Sequence, residues 1–208
     1  MSLGIENQIC FGVLTEVFLD ALTVGAIPVA AAGNNGPSKG TVGYPACLPH
    51  VVAVGSVSIV TEEPAWFSSR GPGCRIIKPD CASYGGAGDA KGERQPIERV
   101  RLAWLDGYRD VRGTSFAAPI VSAEFALALE LTKIPTLHLE EVVRFSSRDI
   151  WQPGKDNDTG WGVVEADKII KVSIPSTTII DMIIRLLSFI GISIPGAKLY
   201  GIYKMLRV

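Results

Sequence analysis

The sequence predicts an α/β domain: a parallel sheet with helices on both faces. Three observations predict it. Short apolar runs bounded by glycine alternate with longer runs of helical periodicity. A loop of small residues, Gly113-Thr114-Ser115-Phe116-Ala117-Ala118-Pro119, leads directly into the longest apolar helical run. The composition, 47% hydrophobic and 20% charged over 208 residues, is that of one globular domain with a proper core.

Along the chain, apolar residues recur at helical spacing from Ile9 to Val24, and Gly25 stops the run. Ile27 to Ala32 reads as a buried strand, with Pro28 near its first position, where a strand tolerates it. It ends in Gly33-Asn34, at the strand end where sites of α/β sheets gather. Taken alone, Asn34 reads as a turn asparagine before Asn-Gly. Gly36-Pro37-Ser38-Lys39-Gly40 spells a nucleophile elbow, but the following Thr41-Val42-Gly43-Tyr44-Pro45 cannot open the helix that an elbow requires.

Val51 to Val57 and Ile77 to Ala82 read as two more buried strands, separated by the Ser68-Ser69-Arg70-Gly71-Pro72 turn. The stretch from Gly86 to Glu98 is a solvated charged loop. Arg99 to Leu105 and Tyr108 to Val111 form a hairpin on Asp106-Gly107 that delivers Ser115. Ser115 to Leu131 is the long helix, with Pro119 in its first turn, where amides have no intrahelical partner to lose. Leu139 to Phe145 is a surface helix with Glu140 and Glu141 in its first turn.

A serine at a helix N-terminus lies where unpaired amides and the helix dipole favour developing negative charge. That suits a nucleophile and its oxyanion, although Gly-Thr-Ser alone describes an ordinary cap. Four blocks in order remove that ambiguity: Val29-Ala30-Ala31-Ala32-Gly33-Asn34-Asn35-Gly36, Thr41-Val42-Gly43-Tyr44-Pro45-Ala46, Phe67-Ser68-Ser69-Arg70-Gly71-Pro72, and Gly113 to Pro119. Together they resemble the second half of the catalytic domain of subtilisin-like serine proteases, the subtilases. The resemblance implies a partial subtilisin-like parallel sheet over residues 1–172.

By resemblance, Ser115 is the nucleophile and Asn34 the side-chain donor to the oxyanion. Gly43 forms the floor of the primary specificity pocket, Ala32 and Gly33 its wall, and Thr114 adjoins the substrate. Ser2, Leu3 and Gly4 match the end of an N-M-S-L-G segment along which substrate pairs as an added strand. Tyr44-Pro45 matches a loop with a cis proline. Lys78 to Gly85 resembles K-P-D-I-V-A-P-G with Ser83-Tyr84 in place of Ala-Pro, and Gly160 to Ala166 resembles a closing G-x-G-x-V-N-A block with Glu165 for Asn. The implied substrate is a polypeptide. No acidic residue marks the pocket wall, so a neutral or apolar residue is expected before the scissile bond.

The family's Asp and His motifs, D-S/T-G and H-G-T/H, do not occur in this sequence and would lie before residue 1. The two histidines, His50 and His138, stand in neither context and read as structural. The implied activity is serine endopeptidase, inactive in this chain unless an N-terminal half supplies the base. The alternative is a non-catalytic remnant or membrane-associated peptide-binding module.

Net charge is −1, which gives no electrostatic case for a nucleic-acid partner. Cys10, Cys47, Cys74 and Cys81 fit neither a metal spacing nor a dense disulfide framework; one disulfide stays open, with buried free thiols the preferred reading. No cofactor is assigned. The carbonyls of Ala46, Leu48 and Val51 match a cation site of the family, but carbonyls leave no sequence signal and no metal is claimed. The N-terminus shows no signal-peptide pattern, and the compartment is not assigned, though family members are mostly secreted or extracellular.

Residues 173–208 form a separate extension with an apolar helical run from Thr177 to Ile194. Thr178, Asp181, Arg185 and Ser188 give it a narrow polar stripe. A span needs roughly 20 apolar residues, and a central Asp or Arg costs about 2.5–3.5 kcal/mol each. A packed or interfacial amphipathic helix is therefore expected over a membrane span. Lys198, Lys204 and Arg207 suit an anionic lipid surface.

Overall fold

The computed structural model describes residues 13–88, 97–132 and 139–171. Ser2, Leu3, Gly4, Cys10, His138 and the 173–208 extension lie outside the described residues. In chain order the elements are α1 (Val13–Thr23), β1 (Val29–Ala31), β2 (Val52–Val57), β3 (Cys81–Tyr84), β4 (Val100–Trp104), β5 (Gly107–Val111), α2 (Thr114–Thr132), α3 (Leu139–Ser146), β6 (Ser147–Arg148), β7 (Val163–Val164) and α4 (Ala166–Lys171).

The expected parallel sheet is present. Its order is β1-β2-β3-β7-β6, with the first four strands parallel and β6 antiparallel to β7. Every residue of β2 is buried, as a central parallel strand covered on both faces must be. The strand alternation divides the core in two. Val29, Val52, Val54 and Cys81 face Ala117, Val121 and Phe125 of α2 and Val142 and Val143 of α3. Ala30, Ala32 and Ala53 face Val42, Leu48 and Val51, with Phe18 of α1 packed against them. Helices thus cover both faces, and β1 is the outer strand on its side among the described residues.

Several local expectations shift. The strand expected over Ile77–Ala82 begins only at Cys81, because Pro79 offers no amide to a ladder and Lys78 turns its side chain wholly inward. The hairpin turns on Leu105-Asp106 rather than Asp106-Gly107, with Trp104 paired to Gly107. Cross-strand contacts set that register: Arg109 stacks on the Trp104 ring at 4.8 Å, and Arg101 pairs with Asp110 at 3.4 Å.

Pro119 is the sixth residue of α2, not a first-turn residue, so it cannot donate to the carbonyl of Ser115 four positions back. Glu98 is anchored rather than solvated: its carboxylate accepts hydrogen bonds from Ser58 Oγ at 2.5 Å and the Ile59 amide at 2.8 Å. Cys74 is disulfide-bonded, so the open alternative of one disulfide holds over the preferred reading of free thiols. It lies half-buried in the tight Gly73–Ile76 turn, whereas Cys47 and Cys81 are sealed in the core outside any disulfide.

Candidate active site

Strand β1 runs out into Gly33-Asn34, and the loop before α2 returns to the same point. Gly113 has φ +149°, and its amide donates to the Gly85 carbonyl at 2.8 Å. A Cβ there would lie 3.3 Å from Asn34 Nδ2, so glycine serves both the backbone conformation and the close approach. Thr114 opens α2 and is fully buried. Its amide and its hydroxyl both donate to Asn34 Oδ1, at 2.9 and 3.1 Å. The Gly33 amide donates to Thr114 Oγ1 at 3.2 Å.

This pairing orients Asn34. An amide N–H can only donate, so the side-chain oxygen must face Thr114, which turns the two Nδ2 donors away from that contact. Ser115 is the next residue of α2 after Thr114, in the helix's first turn. The amides of that turn are the ones with no carbonyl four residues back inside the helix. The Asn34 side chain and the helix-terminal amides thus meet at the start of α2, next in sequence to Ser115.

The candidate pocket residues adjoin the same junction. The Ala32 carbonyl accepts from the Gly43 amide at 3.0 Å, and both residues are buried. Gly33 has φ +113°, and a Cβ on it would come within 2.8 Å of Ser69 Oγ. The Tyr44–Pro45 peptide bond is cis, as the resemblance implies. Ala32, Gly33, Asn34, Gly43 and Thr114 are therefore joined by hydrogen bonds into one corner at the β1–α2 junction. Sequence reasoning gave no role to Ser69, whose hydroxyl accepts from the Asn35 amide at 3.1 Å and holds that loop. The signal lies in the Phe67–Pro72 block, which the sequence reading uses as a turn and a family motif without a role for Ser69.

His50 belongs elsewhere. It is buried beside Phe18, ring centroids 6.4 Å apart, on the α1 face of the sheet. Desolvation, with the nearby Lys78 charge second, lowers it to about 4. It is a neutral core imidazole, opposite the face that α2 covers.

The carbonyl of Val51 accepts from Lys78 Nζ at 2.6 Å, and the same ammonium pairs with Asp80 Oδ2 at 2.5 Å. A side-chain cation therefore already stands at one of the three carbonyls matched to a cation site. Among the described residues no group of three or more His, Cys, Asp or Glu side chains could hold a metal ion.

The subtilase family model matches residues 2–162. Among similar proteins, the subtilisin-like protease PopC of Myxococcus xanthus is 39% identical over 106 residues, covering 51% of this chain and 20% of PopC. Fervidolysin of Fervidobacterium pennivorans is 30% identical over 170 residues, covering 78% of this chain and 24% of fervidolysin. The solved structure of the S41 psychrophilic protease superposes with a TM-score of 0.62 at 26% identity, covering 79% of this chain and 55% of that one. The chain thus spans about a fifth to a quarter of the length of these two relatives. With the ordered motifs, the parallel sheet and the family match in agreement, the chain belongs to the subtilase family.

Proposed function

We propose that this chain supplies the nucleophile and oxyanion side of a serine endopeptidase site. Ser115 Oγ attacks the carbonyl carbon of a peptide bond, and Asn34 Nδ2 with backbone amides of the α2 turn receives the negative charge that moves to oxygen. The observation that carries this reading is the double hydrogen bond from Thr114 to Asn34 Oδ1, which leaves the amide donors of Asn34 for a substrate. Removing one such donor in an oxyanion site costs about 10²–10³ in rate.

A serine hydroxyl also needs a base within hydrogen-bond reach and a third group to orient that base. The reading assigns both to a segment carrying an Asp and a His motif, outside these 208 residues. One surface suits such a segment: Ile120 and Leu127 of α2 each remain 39% exposed, one and three turns beyond Ser115. Substrates are polypeptides, with a neutral or apolar side chain in the pocket of Ala32, Gly33 and Gly43. Residues 1–172 form the protease part, and 173–208 an extension suited to an anionic membrane surface.

Co-expression with an upstream segment bearing both motifs tests the reading. Hydrolysis of an unstructured protein substrate by the pair, abolished by Ser115→Ala, is the expected result. A properly assembled pair without hydrolysis would favour the peptide-binding alternative.

A further inference from the structure

The α2 helix carries an acidic residue where a buried helix has least use for one. Glu124 lies about 13 Å beyond Ser115 along the helix, at the usual rise of about 1.5 Å per residue. Its neighbours Val121, Phe125 and Ala128 are all buried in the main core. Glu124 is half-buried, and its Oε2 is sealed from solvent without a hydrogen-bond partner. A carboxylate oxygen so placed loses hydration and gains nothing in return, whereas a protonated carboxyl has far less to lose.

The surroundings add charge of the same sign. Helix α2 packs against β1, β2, β3 and α4, and shares its core cluster with Val142 and Val143 of α3, the helix that carries Glu140, Glu141 and Arg144. Strands β1 and β2 contain no ionisable side chain. From β3 the Cys81 thiol is the group coupled to Glu124, and burial keeps that thiol protonated by pushing it well up. Tyr84 ends the same strand. Just before α4 stands Glu165, and α4 itself carries Asp167 and Lys168. Glu165 is already claimed: Arg148 Nε donates to it at 2.6 Å and Lys168 Nζ pairs with it at 2.9 Å. These partners hold Glu165 ionised below its ordinary range, so it repels a second carboxylate. No cation among the described residues pairs with Glu124.

We propose that Glu124 is a proton-operated lock between α2 and the turn into α4. With its proton bound, the carboxyl is neutral beside Glu165 and the junction packs closed. When the proton leaves, a carboxylate with one oxygen sealed from solvent is left under the influence of the Glu165 charge and the junction loosens, on the helix whose first turn carries Ser115. The inference concerns stability and helix packing, and it stands whether or not the catalytic reading holds.

Burial, with the Glu165 charge second, raises Glu124 to about 7. A carboxyl raised in the folded state stabilises below its unfolded value near 4.5, and that stability is lost as pH rises to the folded value. His50 has the opposite sense over part of that range, so the difference between Glu124→Gln and the parent isolates the lock. The full chain should unfold at about the same temperature as Glu124→Gln near pH 5, and about 5 °C below it near pH 8. An offset that is the same at both pH values would overturn the proposal. Should Glu124→Gln not fold, carbon-13 titration of the parent chain's glutamate carboxyls still decides. One carboxyl with its inflection near 7 supports the lock. All of them titrating below about pH 5.5 would overturn it.

Discussion

Asn34 and Thr114, 80 positions apart in sequence, are joined by two hydrogen bonds to a single atom, Asn34 Oδ1. The bond pair fastens the end of β1 to the start of α2. It also fixes the orientation of the Asn34 amide, with Oδ1 toward Thr114 and Nδ2 turned away from that contact.

The first prediction follows from that pairing. In the reconstituted enzyme, Asn34→Ala should lower kcat by about 10²–10³ and leave KM nearly unchanged, because the donor acts on charge that develops only in the transition state. Steady-state kinetics check it. A change confined to KM would assign Asn34 to ground-state binding.

Thr114→Val keeps the backbone donor to Asn34 but removes the hydroxyl that links Gly33 to Asn34. It should cost about 1 kcal/mol of stability, since the partly buried Gly33 amide loses its acceptor. Denaturant unfolding measures the loss, and unchanged stability would show that the hydroxyl link is dispensable.

Lys78 is wholly buried, and its ammonium is held by the Val51 carbonyl and Asp80. Breaking such a pair from the carboxylate side strands a buried charge. Asp80→Asn should therefore destabilise the fold by about 3–5 kcal/mol, and more than Lys78→Met, which removes the buried cation itself. Equal losses in thermal unfolding would contradict this ordering.

His50 sets the acid limit. Its folded value is lowered to about 4, so the unfolded chain takes up a proton first as pH falls below about 6.5. Its stability contribution is present above that pH and is lost as pH falls toward 4. His50→Phe should flatten the acid side of the stability profile. An unaltered acid limb would remove His50 from the account.

Much of this was legible in the sequence because strong local chemistry announced it. The Val51–Val57 run reads as a strand buried on both faces, and the apolar run from Ser115 as a long helix, and both are present within a residue of their expected starts. What sequence could not supply came from long-range pairing. Nothing near Lys78 in sequence shows that its ammonium would reach the Val51 carbonyl and delay β3 to Cys81. Cys74 likewise looked like its fellow cysteines until the Gly73–Ile76 turn set it apart from the sealed core. Glu124 was hidden inside an apolar helix, and only the packing of α4 against α2 revealed the neighbouring Glu165.

The most direct test of the central claim is the rate at which a fluorophosphonate probe labels Ser115, with and without an upstream segment carrying the Asp and His motifs. The account predicts no labelling of the 208-residue chain alone and rapid labelling of the pair, lost in Ser115→Ala, because a serine without its base forfeits orders of magnitude in reactivity. Labelling of Ser115 in the chain alone, as fast as in the assembled pair, would contradict it.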